Sequence, residues 1–194
     1  MLSHRRPSSD AIRKFLAAQA KLDFTYAAVG ATTAVPPAGY TVDHTRIKLG
    51  IGEAVFTNAR AALERWDHFR LRWVEAFPSE TTIEPGMVVA VIGRKFGIWS
   101  LNACRIVYVI DEPGPVHRYG FAYGTLPDHV ETGEERFMVE WDPAIGEVWY
   151  DILAFSRPRH LLIRAGNFYI RRIQKRFGRE SAAAMQRVVE EQAK

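Results

Sequence analysis

The chain has 194 residues, of which 47% are hydrophobic and 25% charged, and it carries a mild net charge of +4. These values are ordinary for a globular protein and exclude a mainly disordered chain, and the length favours one domain over residues 1–194. Cys104 is the only cysteine, which excludes an intrachain disulfide, and its strand-like neighbours predict a buried, unreactive thiol. No apolar run suits a secretory signal or a membrane-spanning helix, so we expect a cytoplasmic protein without stable membrane insertion.

The amino-terminal half predicts two helices separated by a strand. Apolar residues recur at helical spacing from Ser9 to Lys21, which predicts an amphipathic helix within an amino-terminal segment of residues 1–23. Tyr40 to Leu49 mixes β-branched and aromatic residues as strands do, and Gly50-Ile51-Gly52 then opens a second helix. A short strand from Phe69 to Ala76 is expected next.

The carboxy-terminal half predicts a meander of strands followed by a long helix. A hairpin is expected between Met87 and Ile110, and short turns separate three further strands, at Arg118–Leu126, Glu134–Trp141 and Glu147–Ser156. The apolar period then becomes helical, which predicts a helical segment over residues 158–192 with a stripe formed by Leu162, Ala165, Tyr169, Ile173 and Phe177. Gly166 and Gly178 favour a bend in this helix or its division into two pieces.

This order of elements predicts an α+β fold in which a curved antiparallel sheet packs on the carboxy-terminal helix. A meander alone would leave one apolar face in water, and the terminal helix is the element that can cover it. The order resembles that of the helix-grip folds, the group that includes START domains and the Bet v 1 type. That resemblance implies a cavity between sheet and helix, and the five Trp, seven Tyr and eleven Phe predict walls rich in rings.

The densest polar cluster lies between Tyr123 and Phe137, around the turn of a predicted hairpin. The candidate ligand-binding residues are Arg105, Tyr123, Thr125, His129, Glu134 and Glu135. Because a hairpin folds its two arms together, His129 and Glu134 could form an acid–base pair, and they are the candidate catalytic residues. In the alternative interpretation His129 and Glu134 hydrogen-bond to loop backbone, and the sequence leaves both interpretations open.

The same run resembles uncharacterised protein family 0548 of bacteria and plants. The resemblance rests on Tyr-Gly-Thr-Leu-Pro-x-His at residues 123–129 and Gly-Glu-Glu-x-Phe at residues 133–137, with Cys104-Arg105 upstream and Phe155-Ser156-Arg157-Pro158 downstream. It extends from about Tyr26 to about Phe177, nearly the whole chain. It implies a single domain and no particular activity.

Other motif classes are missing from the sequence. The six histidines show no His-x-x-x-His spacing and there is no Cys-x-x-Cys, so no metal site is expected. No Walker loop, dinucleotide fingerprint or serine-hydrolase elbow occurs, so no cofactor is expected, and Ser156 is predicted to cap the terminal helix. Arg46, Lys48 and Arg105 lie within strands and are predicted to face solvent, although an inward orientation would bring them to the cavity.

Three hypotheses of function follow from these patterns. The leading one is a module that binds a small hydrophobic or amphipathic molecule in a ring-lined cavity. The second is an enzyme of hydrolase or cyclase type that uses the same cavity for acid–base chemistry. The third is association with an anionic membrane or nucleic acid through the basic terminal helix, which carries Arg164, Arg171, Arg172, Lys175, Arg176, Arg179 and Arg187. No nucleic-acid motif accompanies these charges, so nucleic acid is the less favoured partner.

Overall fold

Eight strands form one antiparallel sheet in the computed structural model, which describes residues 1–159 and 167–192. In chain order the elements are β1 (Leu2–Ser3), α1 (Ser9–Gln19), β2 (Thr41–Ile51), α2 (Glu53–Glu64), β3 (Val74–Phe77), β4 (Val88–Lys95), β5 (Ile98–Pro113), β6 (His117–Thr125), β7 (Glu131–Trp141), β8 (Glu147–Pro158) and α3 (Asn167–Gln192). Consecutive strands from β3 to β8 pair as a meander, β2 pairs with β8, and β1 pairs with β5. The predicted class, a curved antiparallel sheet with a long carboxy-terminal helix, is confirmed. None of the described helices is long and apolar enough to cross a bilayer.

Alternate residues of β5 build two cores, one on each face of the sheet. Cys104 and Ile106 pack on the concave face, in a cluster that also contains residues of α2 and α3. Leu101 packs on the convex face beneath α1, whose Ile12 and Leu16 supply the other side of that cluster. Cys104 is fully buried, and burial raises the pKa of its thiol well above the ordinary value. The prediction that the cysteine is buried is therefore confirmed, and the raised pKa agrees with an unreactive thiol.

Gly178 marks a close approach between α3 and the sheet. A Cβ built on this residue would lie 2.6 Å from Oγ1 of Thr45 on β2, so helix and strand meet there with no side chain between them. The helix continues through Gly178, so the prediction of a two-piece helix divided at this residue is wrong. The glycine is used for packing, which outweighs its cost of about 1 kcal/mol within a helix. Leu162, Ala165 and Gly166 of the predicted helix lie outside the described residues.

Two other local predictions differ from the structure. β3 begins at Val74 rather than at Phe69, because residues Asp67–Phe69 form a short 3-10 turn that buries His68 and Phe69. Ser156 lies inside β8 and does not cap a helix, because the strand continues to Pro158. Both errors arise where apolar residues are buried by tertiary contacts that local patterns do not encode.

A buried carboxylate on the convex face joins three strands. Asp151 on β8 is 3% exposed, and its oxygens lie 2.8 Å from Arg136 Nη2 on β7 and 2.7 Å from His44 Nε2 on β2. Burial alone would raise the pKa of Asp151, but the hydrogen bonds with His44 and Arg136 outweigh it and lower the pKa. Arg46 of β2 also contacts Asp151, and Lys48 pairs with Glu147. The prediction that Arg46 and Lys48 face away from the cavity is confirmed.

We expect Asp151→Asn to lower the free energy of unfolding at pH 7 by about 3 kcal/mol, because Arg136 would keep its charge in a mostly buried position without its anion. Asp151 has a lowered pKa in the folded state, so its stabilisation is present above its unfolded pKa of about 3.9 and is lost as the pH falls through the folded value. Urea unfolding at several pH values measures both effects. Glu147→Gln, which breaks an exposed ion pair on the same strand, serves as the control and should leave the midpoint nearly unchanged. Equal losses in the two variants would contradict the prediction.

Candidate ligand-binding site

A cavity of about 620 Å³ lies between the concave face of the sheet and the first half of α3. The other half of that face is filled by α2 and by the second half of α3, through residues such as Leu63 and Met185. The cavity volume is in the range of sites that hold small organic ligands. Its apolar walls include Phe69, Trp73, Val91, Ile152, Ile173 and Phe177.

Glu135 and Tyr123 form a polar pair on the sheet side of the cavity. The two residues are register partners on β7 and β6, and the Tyr123 hydroxyl donates to Glu135 Oε2 over 2.7 Å. The hydroxyl belongs to a ring that packs on Phe69 and Phe137, so its position is fixed by the core. Both residues line the cavity, and both were predicted to bind ligand. The structure therefore brings a carboxylate and a phenol together in front of apolar walls.

Burial raises the pKa of Glu135 to about 7, because the carboxylate loses hydration that its surroundings replace only in part. The hydrogen bond from Tyr123 opposes this shift, whereas the nearby carboxylates of Glu131 and Asp43 add to it. A carboxyl group with a pKa near 7 is divided between its two protonation states at neutral pH. It can therefore donate or accept a proton there.

Glu134 points to the opposite face of the sheet, because successive residues of a strand alternate. Its Oε2 accepts from the Tyr26 hydroxyl and the Gly30 amide, each over 2.7 Å. Its Oε1 accepts from the Thr32 amide over 3.0 Å and from the Thr32 hydroxyl over 2.5 Å. Glu134 thus binds residues 26–32 onto the convex face.

His129 lies at the turn between β6 and β7 and lines the cavity. Its Nδ1 lies 3.0 Å from the amide nitrogen and 3.1 Å from the carbonyl oxygen of Glu131, so the ring is held by the backbone of the turn. Burial lowers the pKa of His129 to about 4, so the ring is neutral at pH 7. No hydrogen bond joins His129 to Glu134 within the described residues. The contacts of both side chains with loop backbone match the alternative interpretation rather than an acid–base pair.

Arg105 and Thr125 are held by backbone groups. Arg105 lies on the convex face, where Nη2 donates to the carbonyls of Ala20 and Leu22 over 2.8 and 2.7 Å. The structure therefore removes Arg105 from the candidate ligand-binding residues, because these carbonyls at the end of α1 attract the guanidinium away from the cavity. Thr125 lines the cavity, but its hydroxyl is engaged with Thr25 and with the backbone of Gly133.

Polar contacts that the sequence did not reveal attach α3 along the rim of the cavity. Gln174 Nε2 donates to Glu131 Oε1 over 2.6 Å and to Ser156 Oγ over 2.7 Å. Arg171 forms a two-pronged ion pair with Asp43 on β2. Glu131 belongs to the polar run between Tyr123 and Phe137. Its place in that run, two residues before Gly133, was the one feature of the sequence that could have marked it as a site residue. The partners on α3 could not be found without knowing the helix orientation.

The basic residues of α3 divide into paired and exposed groups. Arg171 is engaged by Asp43, and Arg176 is engaged by Glu180. Arg172, Lys175, Arg179 and Arg187 are exposed, and Arg164 lies outside the described residues. Lys175 and Arg179 also line the mouth of the cavity.

The fold and the cavity define a helix-grip protein whose concave face is only partly filled. A crystal structure of Ara h 8.0201 superposes with a TM-score of 0.50 at 14% identity, covering 79% of this chain and 99% of that one, which supports the fold alone. Residues 25–184 match the family model described as a domain of unknown function, DUF1990. A UPF0548 protein of Dictyostelium discoideum is 34% identical, over 97% of this chain and 96% of its own. Another, from Arabidopsis thaliana, is 34% identical over 76% and 72% of the two chains. The chain belongs to the UPF0548 family, as its motifs predicted.

We expect Glu134→Gln to lower the free energy of unfolding by about 2–4 kcal/mol, because an amide cannot accept from all four donors that now surround the carboxylate. Chemical unfolding at pH 7 measures the loss. Glu112→Gln, which changes an exposed residue in a weak contact with Arg118, is the control. If Glu134→Gln is as stable as the wild type, the contacts of Glu134 with residues 26–32 do not stabilise the fold.

We expect Glu135→Gln to be more stable than the wild type at pH 8, by about 2–3 kcal/mol. The folded state of the wild type holds the Glu135 proton more tightly than the unfolded state does. This contribution is therefore complete below the unfolded pKa of about 4.3 and is lost as the pH rises through about 7. The difference between variant and wild type should grow over that window in urea unfolding. A difference that does not depend on pH would contradict the raised pKa.

Proposed function

We propose that this protein binds a small hydrophobic or amphipathic molecule in the cavity between the sheet and α3. The observation that carries the proposal is a space of about 620 Å³ with ring-lined walls, which the partly buried carboxylate of Glu135 faces. Such a combination of apolar surface with few polar groups is typical of small-molecule sites.

The apolar walls by themselves supply a weak affinity. Burying a ten-carbon chain yields roughly 8 kcal/mol at about 0.8 kcal/mol for each methylene group. Immobilising the ligand costs at least about 4 kcal/mol. The remainder is at most about 4 kcal/mol, which corresponds to a dissociation constant of about one millimolar or weaker. Polar contacts with Glu135 would then improve affinity and fix the orientation of the ligand.

Acid–base catalysis in the same cavity is the second candidate function. It is favoured by the pKa of Glu135, which lies near 7 and therefore suits proton transfer at neutral pH. In this version of the enzyme hypothesis Glu135 replaces Glu134, whose four hydrogen bonds hold it on the convex face. Tyr123 is then a positioning residue for the carboxylate.

Association with an anionic surface remains a third proposal and rests on the exposed cations of α3. Arg172, Lys175 and Arg179 follow one another at intervals of three and four residues, which places them on one face of the helix. Binding to vesicles of anionic phospholipid, compared between the wild type and a variant with all three changed to Gln, tests it. Equal binding by the two proteins would exclude this surface.

We expect Ala154→Phe to weaken binding of Nile red, a neutral apolar fluorophore, by at least about tenfold. Ala154 lies opposite Glu135 on β8 and lines the cavity, so a phenyl ring there occupies the proposed ligand space. The measurement is a fluorescence titration, with circular dichroism to verify the fold. Denaturing extraction of the purified protein followed by mass spectrometry would identify any molecule retained by the wild type and lost from the variant.

Leu153→Phe is the matched control, because Leu153 is the adjacent residue on the opposite face of β8. It should bind Nile red as the wild type does. If the folded Ala154→Phe protein also binds like the wild type, the cavity is not the binding site and the proposal fails.

A further inference from the structure

We infer that the ligand carries a protonated amine that pairs with Glu135, an inference that rests on the proposed binding function. The free oxygen of Glu135 and the charges around it carry the inference.

Glu135 offers one unused acceptor to the cavity. Its Oε2 accepts from the Tyr123 hydroxyl over 2.7 Å. No group among the described residues donates to its Oε1, and that atom is not among the enclosed polar atoms that lack a partner. Since Glu135 lines the cavity, Oε1 retains access to it. This oxygen can therefore accept a hydrogen bond from a donor on the ligand.

The charges around Glu135 favour a cationic donor over a neutral one. The neighbouring carboxylates of Glu131 and Asp43 act on Glu135 in the same direction as burial, and no cation among the described residues counteracts them. The guanidinium of Arg171, on the nearest part of α3, is already taken by Asp43. An ammonium group bound at Oε1 would supply the missing positive charge, and a charge-assisted hydrogen bond is about twice as strong as a neutral one.

Several titratable or charged groups face Glu135 or the space before it. They are Tyr123 on β6, Glu131 on β7, Tyr150 on β8, Asp43 on β2, Arg94 and Lys95 on β4, Cys104 on β5, His129 in the β6–β7 turn, and Lys175 and Arg179 on α3. Lys175, Arg179 and Arg94 are exposed and Lys95 is partly exposed, so these cations would favour an approaching anion at the entrance.

A metal ion is a poorer occupant than an amine. Within the described part of the chain no group of three His, Cys, Asp or Glu residues converges as metal ligands do. One carboxylate oxygen beside apolar walls instead matches an alkyl or aryl amine, whose ammonium meets Glu135 while the apolar remainder contacts rings such as Phe69 and Phe177.

The experiment compares three probes with one chain length and different head groups, namely decylamine, decanol and decanoate. Displacement of Nile red at pH 8 gives their affinities for the wild type. Decylamine should bind about 10- to 100-fold more tightly than decanol, the range expected for a hydrogen bond to a charged group. Decanoate should bind most weakly, because its head group repels Glu135. Between pH 5 and pH 7 the affinity for decylamine should rise, by up to about tenfold per pH unit, because the bound amine selects ionised Glu135.

Three variants separate the role of Glu135 from general effects. Glu135→Gln should lose the preference for decylamine and its pH dependence while keeping its affinity for decanol within about threefold. Glu140→Gln, the same change on the convex face of β7, should keep both. Tyr123→Phe retains the carboxylate but removes the hydrogen bond that lowers its pKa, so the rise in decylamine affinity should move to higher pH.

The outcomes distinguish this inference from the proposed function. Equal affinities for decylamine and decanol in the wild type, or an unchanged preference in Glu135→Gln, would overturn the amine while leaving the binding module in place. Tight binding of decanoate that depends on Lys175 and Arg179 would also overturn the amine and would indicate an anionic ligand. If none of the three probes displaces Nile red, the inference and the proposed function both fail.

Discussion

The alternation of side chains along β7 sends two consecutive glutamates to opposite faces of one sheet, and much of the molecule depends on this separation. Glu134 goes to the convex face, where four donors from residues 26–32 bind it. Glu135 goes to the concave face, where Tyr123 is its one hydrogen-bond partner among the described residues. Two adjacent carboxylates thereby contribute differently to the stability of the fold. One is surrounded by donors and stabilises the fold, and the other is left short of partners beside an apolar space.

The apolar space exists because the concave face is covered unevenly. α2 and the second half of α3 fill one half of it with aliphatic and aromatic side chains. The first half of α3 instead reaches the sheet through polar rim contacts, in which Gln174 joins Glu131 and Arg171 joins Asp43. Side chains that pair at a rim cannot also fill the interior behind them. Binding of a ligand in this space would add to the stability of the folded state.

The sequence was sufficient for the order of elements and for the class of fold, because turn residues and changes of period mark where strands and helices begin. It was insufficient for deciding which face each polar residue occupies. On β7 the signal existed, since Phe137 and Val139 mark the core face and Glu135 shares their parity whereas Glu134 does not. On β5 both parities are apolar, with Leu101 on one face and Cys104 on the other. The alternation pattern therefore could not show which face of the sheet Arg105 occupies. The contacts of α3 with the sheet depend on a helix orientation that the local sequence does not specify.

The contact at Gly178 sets how closely α3 approaches β2. The separation of α3 from β2 is limited there by a hydrogen atom and the hydroxyl of Thr45 rather than by interlocking side chains. A methyl group at this position would force Thr45 into another rotamer or move α3 away from the sheet. Moving α3 away from the sheet would widen the cavity between them. The width of the cavity therefore depends in part on a residue with no functional group of its own.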